Sequence, residues 1–347
     1  MLYVTTRNKH DAYTAHRTLN QDRAGDGGLF VPFKMPEFTP EQIAALAEKP
    51  FGQNVADVLN LFFGTKLTGW DVDVTVGRNP VKLRPMSQRI LAGELWHNLD
   101  GTFDRFVENM AARIHPDGEY IGKPVNWLQV SIRIAVLFGL FGELIRSGQL
   151  APGKKMDVAV ATGSFVVPMA VWYARQMGLP IGTIICGCNE NGAVWDLLHH
   201  GEVDTGMNAV STTTPEADFA IPPDLERLIC GTVGQEEVMN FWWSCTEGMV
   251  YAPDAENYQL LRQGMFAAVV SKARVESILP SVYRTNQYVL DLYAALAYGA
   301  LLDYRSRTGT AATALLLTEK SPLRNAGAVC AAMRITNDEL KRRLAEG

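Results

Sequence analysis

Met156-Asp157-Val158-Ala159-Val160-Ala161-Thr162-Gly163-Ser164 decides the fold. The first six residues read as a mostly apolar strand, and Thr162-Gly163-Ser164 is its turn. Val166 to Met177 follows as a helix, and Ile181 to Cys186 as the next strand. Strand, glycine turn, helix and strand make a βαβ unit. Such a unit argues for an α/β fold with a parallel sheet covered on both faces. A glycine turn between a parallel strand and a helix also aims backbone N–H groups at an anion, and the helix dipole favours negative charge there. Thr162, Gly163 and Ser164 are therefore anion-binding candidates. The plainer alternative is an ordinary strand-to-helix turn.

Working outward, Val125 to Arg146 reads as a long buried helix with Gly148 as its stop. Asp100 to Ile114 reads as helical after the Gly101 turn. Val72 to Val76 alternates Val with Asp and Thr, the pattern of a short half-exposed strand. Val55 to Leu59 lies in a helix. Thr39-Pro40-Glu41-Gln42 starts another, with Thr as cap, Pro at the first position and an acid in the first turn. Residues 1–36 read as strand and turn. Residues 236–335 read as mostly helical, with one late strand at Ala312 to Leu317. Lys341, Arg342 and Arg343 fit the solvated face of a terminal helix, where positive charge suits the dipole.

Composition bounds the class. The 347 residues are 47% hydrophobic and 20% charged, enough for one large core or two medium ones in a soluble protein. A net charge of -5 gives no pull toward nucleic acid or an anionic membrane. The five cysteines are odd in number and scattered, which fits reduced thiols. Met1 to Arg7 carries no apolar signal core, so a cytoplasmic location is expected. The longest apolar run, Ile132 to Ile145, contains Arg133 and Glu143 and reads as a buried helix. No metal site is expected. Cys186 and Cys188 have no second pair, and adjacent helical residues such as His199 and His200 diverge by about 100°. Phe241-Trp242-Trp243 with Met239 reads as core.

Several short stretches carry a family resemblance. They are Asp26-Gly27-Gly28-Leu29-Phe30-Val31-Pro32, Gly101-Thr102-Phe103-Asp104, Val125-Asn126-Trp127, Met177-Gly178-Leu179-Pro180-Ile181 and Cys188-Asn189-Glu190-Asn191. Together, and in this order, they resemble the threonine synthases, pyridoxal-phosphate (PLP) enzymes of fold type II. The resemblance spans residues 1–325 with one large internal deletion. It implies the parallel-sheet core of that architecture with a reduced small domain. An N-terminal extension would cover residues 1–64 and an α/β domain residues 65–347. The family converts O-phosphohomoserine to threonine by β,γ-replacement, with PLP as electron sink. Its Schiff-base lysine lies in a His-Gly-Pro-Thr-x-x-Phe-Lys-Asp run, followed by a Ser-Gly-Asp-Thr-Gly loop. Neither run is present; the chain passes from Leu61-Phe62-Phe63 to Val72-Asp73-Val74-Thr75-Val76 by a short connection.

The remaining family motifs are altered. The phosphate loop Thr-Gly-Asn-Phe-Gly-Asp is matched by Thr162-Gly163-Ser164-Phe165-Val166-Val167. Val166 puts a β-carbon where a phosphate would approach, and Val167 replaces the acid. Asn126-Trp127 matches an Asn-Trp-x-Arg run, but Gln129 stands where Arg is expected. Asn189 and Glu190 sit in the match to Thr-Asn-Glu-Asn, at the strand edge where α/β folds bind ligands; local turn capping is the alternative. Leu317 to Arg324 matches a Thr-Ala-His-Pro-Ala-Lys-Phe run without its His, and Leu292-Tyr293 replaces a Pro-His pair. Gly77-Arg78-Asn79-Pro80 resembles a structural turn of the family. Lys66 and Lys82 are the lysines to test as substitute imine formers. Neither is expected to serve, because a catalytic lysine needs a desolvating pocket beside a phosphate site.

The expectation is a non-catalytic homologue that binds or regulates, with no cofactor and no catalytic residue. Thr162, Gly163, Ser164, Asn126, Asn189 and Glu190 are its candidate ligand-binding residues, for a small phosphorylated or amino-acid ligand. An apolar patch of Leu61, Phe62, Phe63, Leu67 and Trp70 would pair the chain with itself or with a protein partner. The alternative is a diverged threonine synthase or lyase that uses PLP on O-phosphohomoserine or a related amino acid.

Overall fold

A computed structural model describes residues 1–76, 81–96, 103–116, 125–151 and 153–346. The turn at Gly77 to Pro80 and the Gly101-Thr102 pair lie outside the described residues. The N-terminal part is a three-stranded antiparallel sheet, β1 (Leu2–Thr5) between β2 (Tyr13–Thr14) and β3 (Phe30–Pro32), with α1 (Ala15–Asn20) following β2. Helix α2 (Pro40–Ala44) starts at a full capping box. The Gln42 amide N–H donates to Thr39 Oγ1, and the Thr39 N–H donates to the Gln42 side chain at 2.8 Å. Helix α3 (Phe51–Phe63) ends at Gly64, whose φ of 68° is left-handed.

The segment expected as a strand at Val72 to Val76 is instead helix α4 (Gly69–Val76). Its start carries a cap that outweighs the alternating pattern: Thr68 donates its N–H and its hydroxyl to Asp71, at 2.8 and 2.7 Å. The helix also packs closely on α3, where a β-carbon on Gly52 would meet the Gly69 carbonyl oxygen at 2.7 Å.

The rest of the chain builds three layers. In order it runs β4 (Lys82–Met86), β5 (Ile90–Glu94), α5 (Asp104–Ile114), α6 (Trp127–Arg146), β6 (Met156–Ala161), α7 (Val166–Gln176), β7 (Ile181–Cys188), α8 (Ala193–His200) and β8 (Val203–Asp204). Then come α9 (Leu225–Thr232), α10 (Gln235–Glu247), β9 (Val250–Tyr251), α11 (Ala255–Arg262), β10 (Met265–Val269), α12 (Lys272–Asn286), α13 (Leu292–Thr308), β11 (Ala314–Thr318), α14 (Ala326–Met333) and α15 (Asn337–Glu346). The main sheet has the order β10-β7-β6-β11-β5-β4, parallel except for β4. The hairpin β4–β5 thus lies along β11 and covers that side of the sheet.

Alternation along the strands divides the core. Val158, Val160, Ile184, Cys186, Leu315 and Leu317 pack on the side of α3, α6 and α7. Ala92, Ala159, Ile185 and Leu316 pack on the side of α12, α13 and α14. An 18-residue stretch of the 20-residue helix α6 has a mean hydropathy of 1.7, long and apolar enough to cross a membrane, yet 89% of that stretch is buried inside the fold. The chain leaves β6 for α7 on one face and leaves β11 for α14 on the other. The crevice between their carboxyl ends is therefore the topological switch point, where open α/β sheets bind ligands.

Candidate functional site

A cavity of about 520 Å³ occupies that crevice. Ala161, Gly163 and Ser164 enter it from the end of β6, and Gln129 and Arg133 from α6. Asp291 and Tyr293 come from the start of α13, and Asp104 and Glu108 from α5. Glu319, Lys320 and Arg324 come from the chain leaving β11, and Glu216 from the segment before α9. A larger cleft of about 1380 Å³ passes Arg7, Trp172 and Arg175, but it lies toward the starting ends of β6 and β7, at Asp157 and Ile181, away from the switch point.

Two charge clusters define the crevice. In the first, Arg133 donates Nε to Glu319 Oε1 at 2.9 Å and Nη2 to Oε2 at 3.1 Å. Its Nη1 donates to the Gln129 carbonyl at 3.2 Å and also to the Gln129 side chain. Asp104 lies 3.6 Å from the same guanidinium, which stacks 5.2 Å above the Phe103 ring. Burial pushes the Glu319 carboxyl up, and Arg133 pulls it down. So Gln129, where the family resemblance leads one to expect Arg, is occupied in orienting Arg133.

In the second cluster, Lys320 contacts Glu216 Oε2 through Nζ. Arg324 donates Nε and Nη2 to Glu216 Oε1 at 3.3 and 3.2 Å. The Lys320 Nζ sits 3.9 Å above the centre of the Tyr293 ring, and the Glu216 N–H donates to the Tyr293 hydroxyl at 3.2 Å. Burial pushes the Lys320 ammonium down to about 7, and Asp104 opposes that fall. The carboxylate of Glu216 in contact with it also favours the charged form. Asp291 caps α13 by accepting the N–H groups of Tyr293 and Ala294 at 2.8 and 3.1 Å, and burial pushes its carboxyl up to about 7.

Of the residues expected from sequence, Gly163 and Ser164 line the cavity. Thr162 faces the neighbouring strand, donating its N–H and its hydroxyl to the Gly187 carbonyl at 3.0 and 3.3 Å. Asn126 is the cap of α6; it accepts the Leu128 N–H at 2.9 Å and donates to Asp22 at 3.1 Å. Asn189 is buried and donates to Asp218 at 2.7 Å and to Thr212 and Thr214 at 3.0 Å each, which ties the segment before α9 to β7. Glu190 accepts the Lys272 N–H at 2.8 Å beside the start of α12. Lys66 is exposed, Lys82 starts β4, and neither lines the cavity. Arg133, Glu216, Glu319, Lys320 and Arg324 are additions from the structure. The Glu-Lys pair directly after an apolar strand was the available signal for Glu319 and Lys320; Glu216 had none.

The turn from β6 to α7 is left-handed at two positions, and strained only at the second. Gly163 has φ of 49° and Phe165, not a glycine, has φ of 74°. The side chains of Val166 and Val167 form part of the cavity wall. Among the described residues no group of three His, Cys, Asp or Glu is placed to hold a metal. The proposed apolar patch is divided: Leu61 and Trp70 are exposed, Phe63 and Leu67 half-buried, and Phe62 fully buried. Phe241 is core, as read from sequence, but Trp243 is 57% exposed.

Residues 2–78 match the family described as "Threonine synthase N terminus". The chain superposes on the PLP-bound threonine synthase of Brucella melitensis with a TM-score of 0.83 at 19% identity, covering 96% of this chain and 91% of that one. The yeast threonine synthase superposes with a TM-score of 0.82 at 16% identity, covering 99% and 94%. The chain is similar to threonine synthases in fold, and over residues 2–78 in sequence. Its architecture is that of PLP fold type II. Among curated proteins, human threonine synthase-like 1 is 26% identical over 218 residues, 57% of this chain and 29% of that protein's length. The threonine synthase of Pseudomonas aeruginosa is 21% identical over 407 residues, 88% of this chain and 85% of that protein. This chain spans well under two thirds of the threonine synthase-like 1 proteins it matches.

The threonine synthase-like fold implies PLP, and the crevice does not fit its phosphate. Two valine side chains stand in the turn that would cradle it. The cations on the wall, Arg133, Lys320 and Arg324, already face the carboxylates of Glu319 and Glu216. Asp104, Glu108 and Asp291 add further acids to the same wall. A dianion entering there meets negative charge.

Proposed function

We propose that this threonine synthase-like protein acts without the family's chemistry, as a binding or regulatory protein whose crevice takes a small polar ligand. The closure of the crevice charges upon one another carries the reading. Arg133 is held by Glu319, and Lys320 and Arg324 by Glu216. A charged ligand entering the crevice would have to compete with these ion pairs. The position at the switch point still favours a ligand, because the strand ends leave a cavity walled by polar groups.

A second reading rests on Lys320. It is a lysine on the cavity wall with a side chain only 12% exposed, and desolvation of this kind makes a lysine nucleophilic. In that reading the protein is a diverged threonine synthase or lyase acting on O-phosphohomoserine or a related amino acid. The experiment is incubation with PLP, a visible spectrum, borohydride reduction and peptide mapping. No absorbance band and no pyridoxyl-lysine support the first reading. An adduct at Lys320, Lys66 or Lys82 replaces it with the second.

A further inference from the structure

We infer that Lys320 and Arg324 form a binding site for a small carboxylate, and that the chain fills this site from within by Glu216. The inference rests on the reading of the crevice as a ligand site and names the chemistry of its ligand. Both Glu216 oxygens are engaged, Oε2 by Lys320 Nζ and Oε1 by the Arg324 guanidinium at 3.2 and 3.3 Å. Two converging cations on one carboxylate make a strong, geometrically selective arrangement.

The partners differ in how they are held. Lys320 and Arg324 belong to the scaffold: one follows β11 directly, and the other lies in the short 3-10 turn Pro322–Asn325 before α14. The Lys320 ammonium is fixed over the Tyr293 ring. Glu216 comes from a three-residue 3-10 turn (Pro215–Ala217) in the segment between β8 and α9; Asn189 tethers that segment at Thr212, Thr214 and Asp218, while the Glu216 side chain itself is 44% exposed. The pair Arg133–Glu319 is the contrast. Those side chains are 6% and 14% exposed and spring from α6 and the exit of β11. One pair closes the scaffold; the other is a scaffold cation pair met by a loop anion.

Withdrawing Glu216 would leave two cations facing a cavity of about 520 Å³, a costly arrangement that a replacement anion relieves. A planar carboxylate reproduces the displaced contacts. The neighbouring acids Asp104 and Asp291 disfavour the second charge of a phosphate. Competition with Glu216 reduces the apparent affinity by the fraction of molecules whose loop is undocked.

The test uses the full chain with acetate as probe, inorganic phosphate as comparator and sodium chloride at matched ionic strength. Glu216→Gln keeps the loop's shape and removes its charge; circular dichroism checks its fold. The thermal midpoint of Glu216→Gln should rise at about tenfold lower acetate than that of the unmodified protein. Arg324→Met in the same background should abolish the response. In the unmodified protein, acetate should speed amide hydrogen exchange across residues 212–218, a readout that needs no variant. Equal acetate responses with and without Glu216, or a response that survives Arg324→Met, would overturn the inference. Acetate stabilisation without faster loop exchange would overturn the internal occupant and leave the ligand site standing. No stabilisation of any form would remove both. A pyridoxyl adduct in the PLP experiment would end the non-catalytic reading yet leave this competition intact.

Discussion

Arg133 and Glu319 meet with two parallel hydrogen bonds, Nε to Oε1 at 2.9 Å and Nη2 to Oε2 at 3.1 Å, joining the central helix α6 to the chain leaving β11. Both are largely buried, so neither charge is tolerated alone. Arg133→Met should lower unfolding free energy by about 3–5 kcal/mol, because it strands the Glu319 carboxylate. Replacing both at once with apolar residues of similar volume should restore much of that loss. Urea unfolding of the two single variants and the double variant measures it. A fully additive cycle would mean the pair is not coupled as drawn.

The second prediction concerns pH. Burial raises the folded-state value of Asp291 to about 7, against an ordinary carboxyl near 3.8. The native state therefore holds more protons than the unfolded chain between those values. Stability from this group is full below about pH 4 and is lost as pH rises toward about 7. Asp291→Asn keeps a capping oxygen for Tyr293 and Ala294 but does not titrate. Unfolding free energy of the native protein minus that of Asp291→Asn should fall across this window and level off above it. A flat difference would place Asp291 in contact with water.

Glu226 on α9 gathers the N-terminal segment. It accepts from Thr6 at 2.5 Å, from Arg7 at 3.0 and 3.1 Å, and from Arg23 at 3.2 Å. Next to it, Arg227 is fully buried and donates to the Phe30 and Val125 carbonyls at 3.1 and 2.8 Å. Glu226→Ala should cost about 3 kcal/mol and release this segment first. Limited proteolysis should then cut within residues 1–34 before the sheet domain unfolds. Unchanged cleavage would show that apolar packing alone holds the segment.

How far the sequence carried can be argued from particular elements. The β6 strand, the α7 helix and the start of β7 were legible because a long apolar strand, a glycine turn and a helical period agree at each level. The cap at Thr39 was legible because its hydrogen bonds are local. Met265–Val269 reads no differently from the helices around it; five residues of Met, Phe, Ala and Val fit either a buried helix or a buried strand, and only pairing with β7 decides. The hairpin β4–β5 was missed for a related reason, since its place depends on β11, more than 200 residues on. At the crevice, the place of Gly163 and Ser164 was legible because turn geometry is local. Asn126 and Asn189, candidate ligand groups in the sequence, cap a helix and tether a loop in the structure. Glu216 reaches Lys320 across 104 positions, a contact that no spacing rule encodes.

The last prediction links the sheet to the crevice through one glycine. Gly187, near the end of β7, lies against α13; a β-carbon there would meet the Leu296 carbonyl carbon and oxygen at 2.4 Å and the Ala297 nitrogen at 2.6 Å. These are backbone atoms of a helix, so no side-chain rotation relieves the clash. Gly187→Ala must push α13 off the sheet, at a cost of about 1–3 kcal/mol. The first turn of α13 carries Asp291 and Tyr293, and Tyr293 both supports Lys320 and accepts the Glu216 N–H. Moving the helix should therefore loosen the Glu216 contact as well as lower stability. Amide exchange across residues 212–218 should quicken in Gly187→Ala under conditions where the protein remains folded. Destabilisation with unchanged exchange in that segment would show that α13 moves as a rigid body along the sheet without disturbing the crevice.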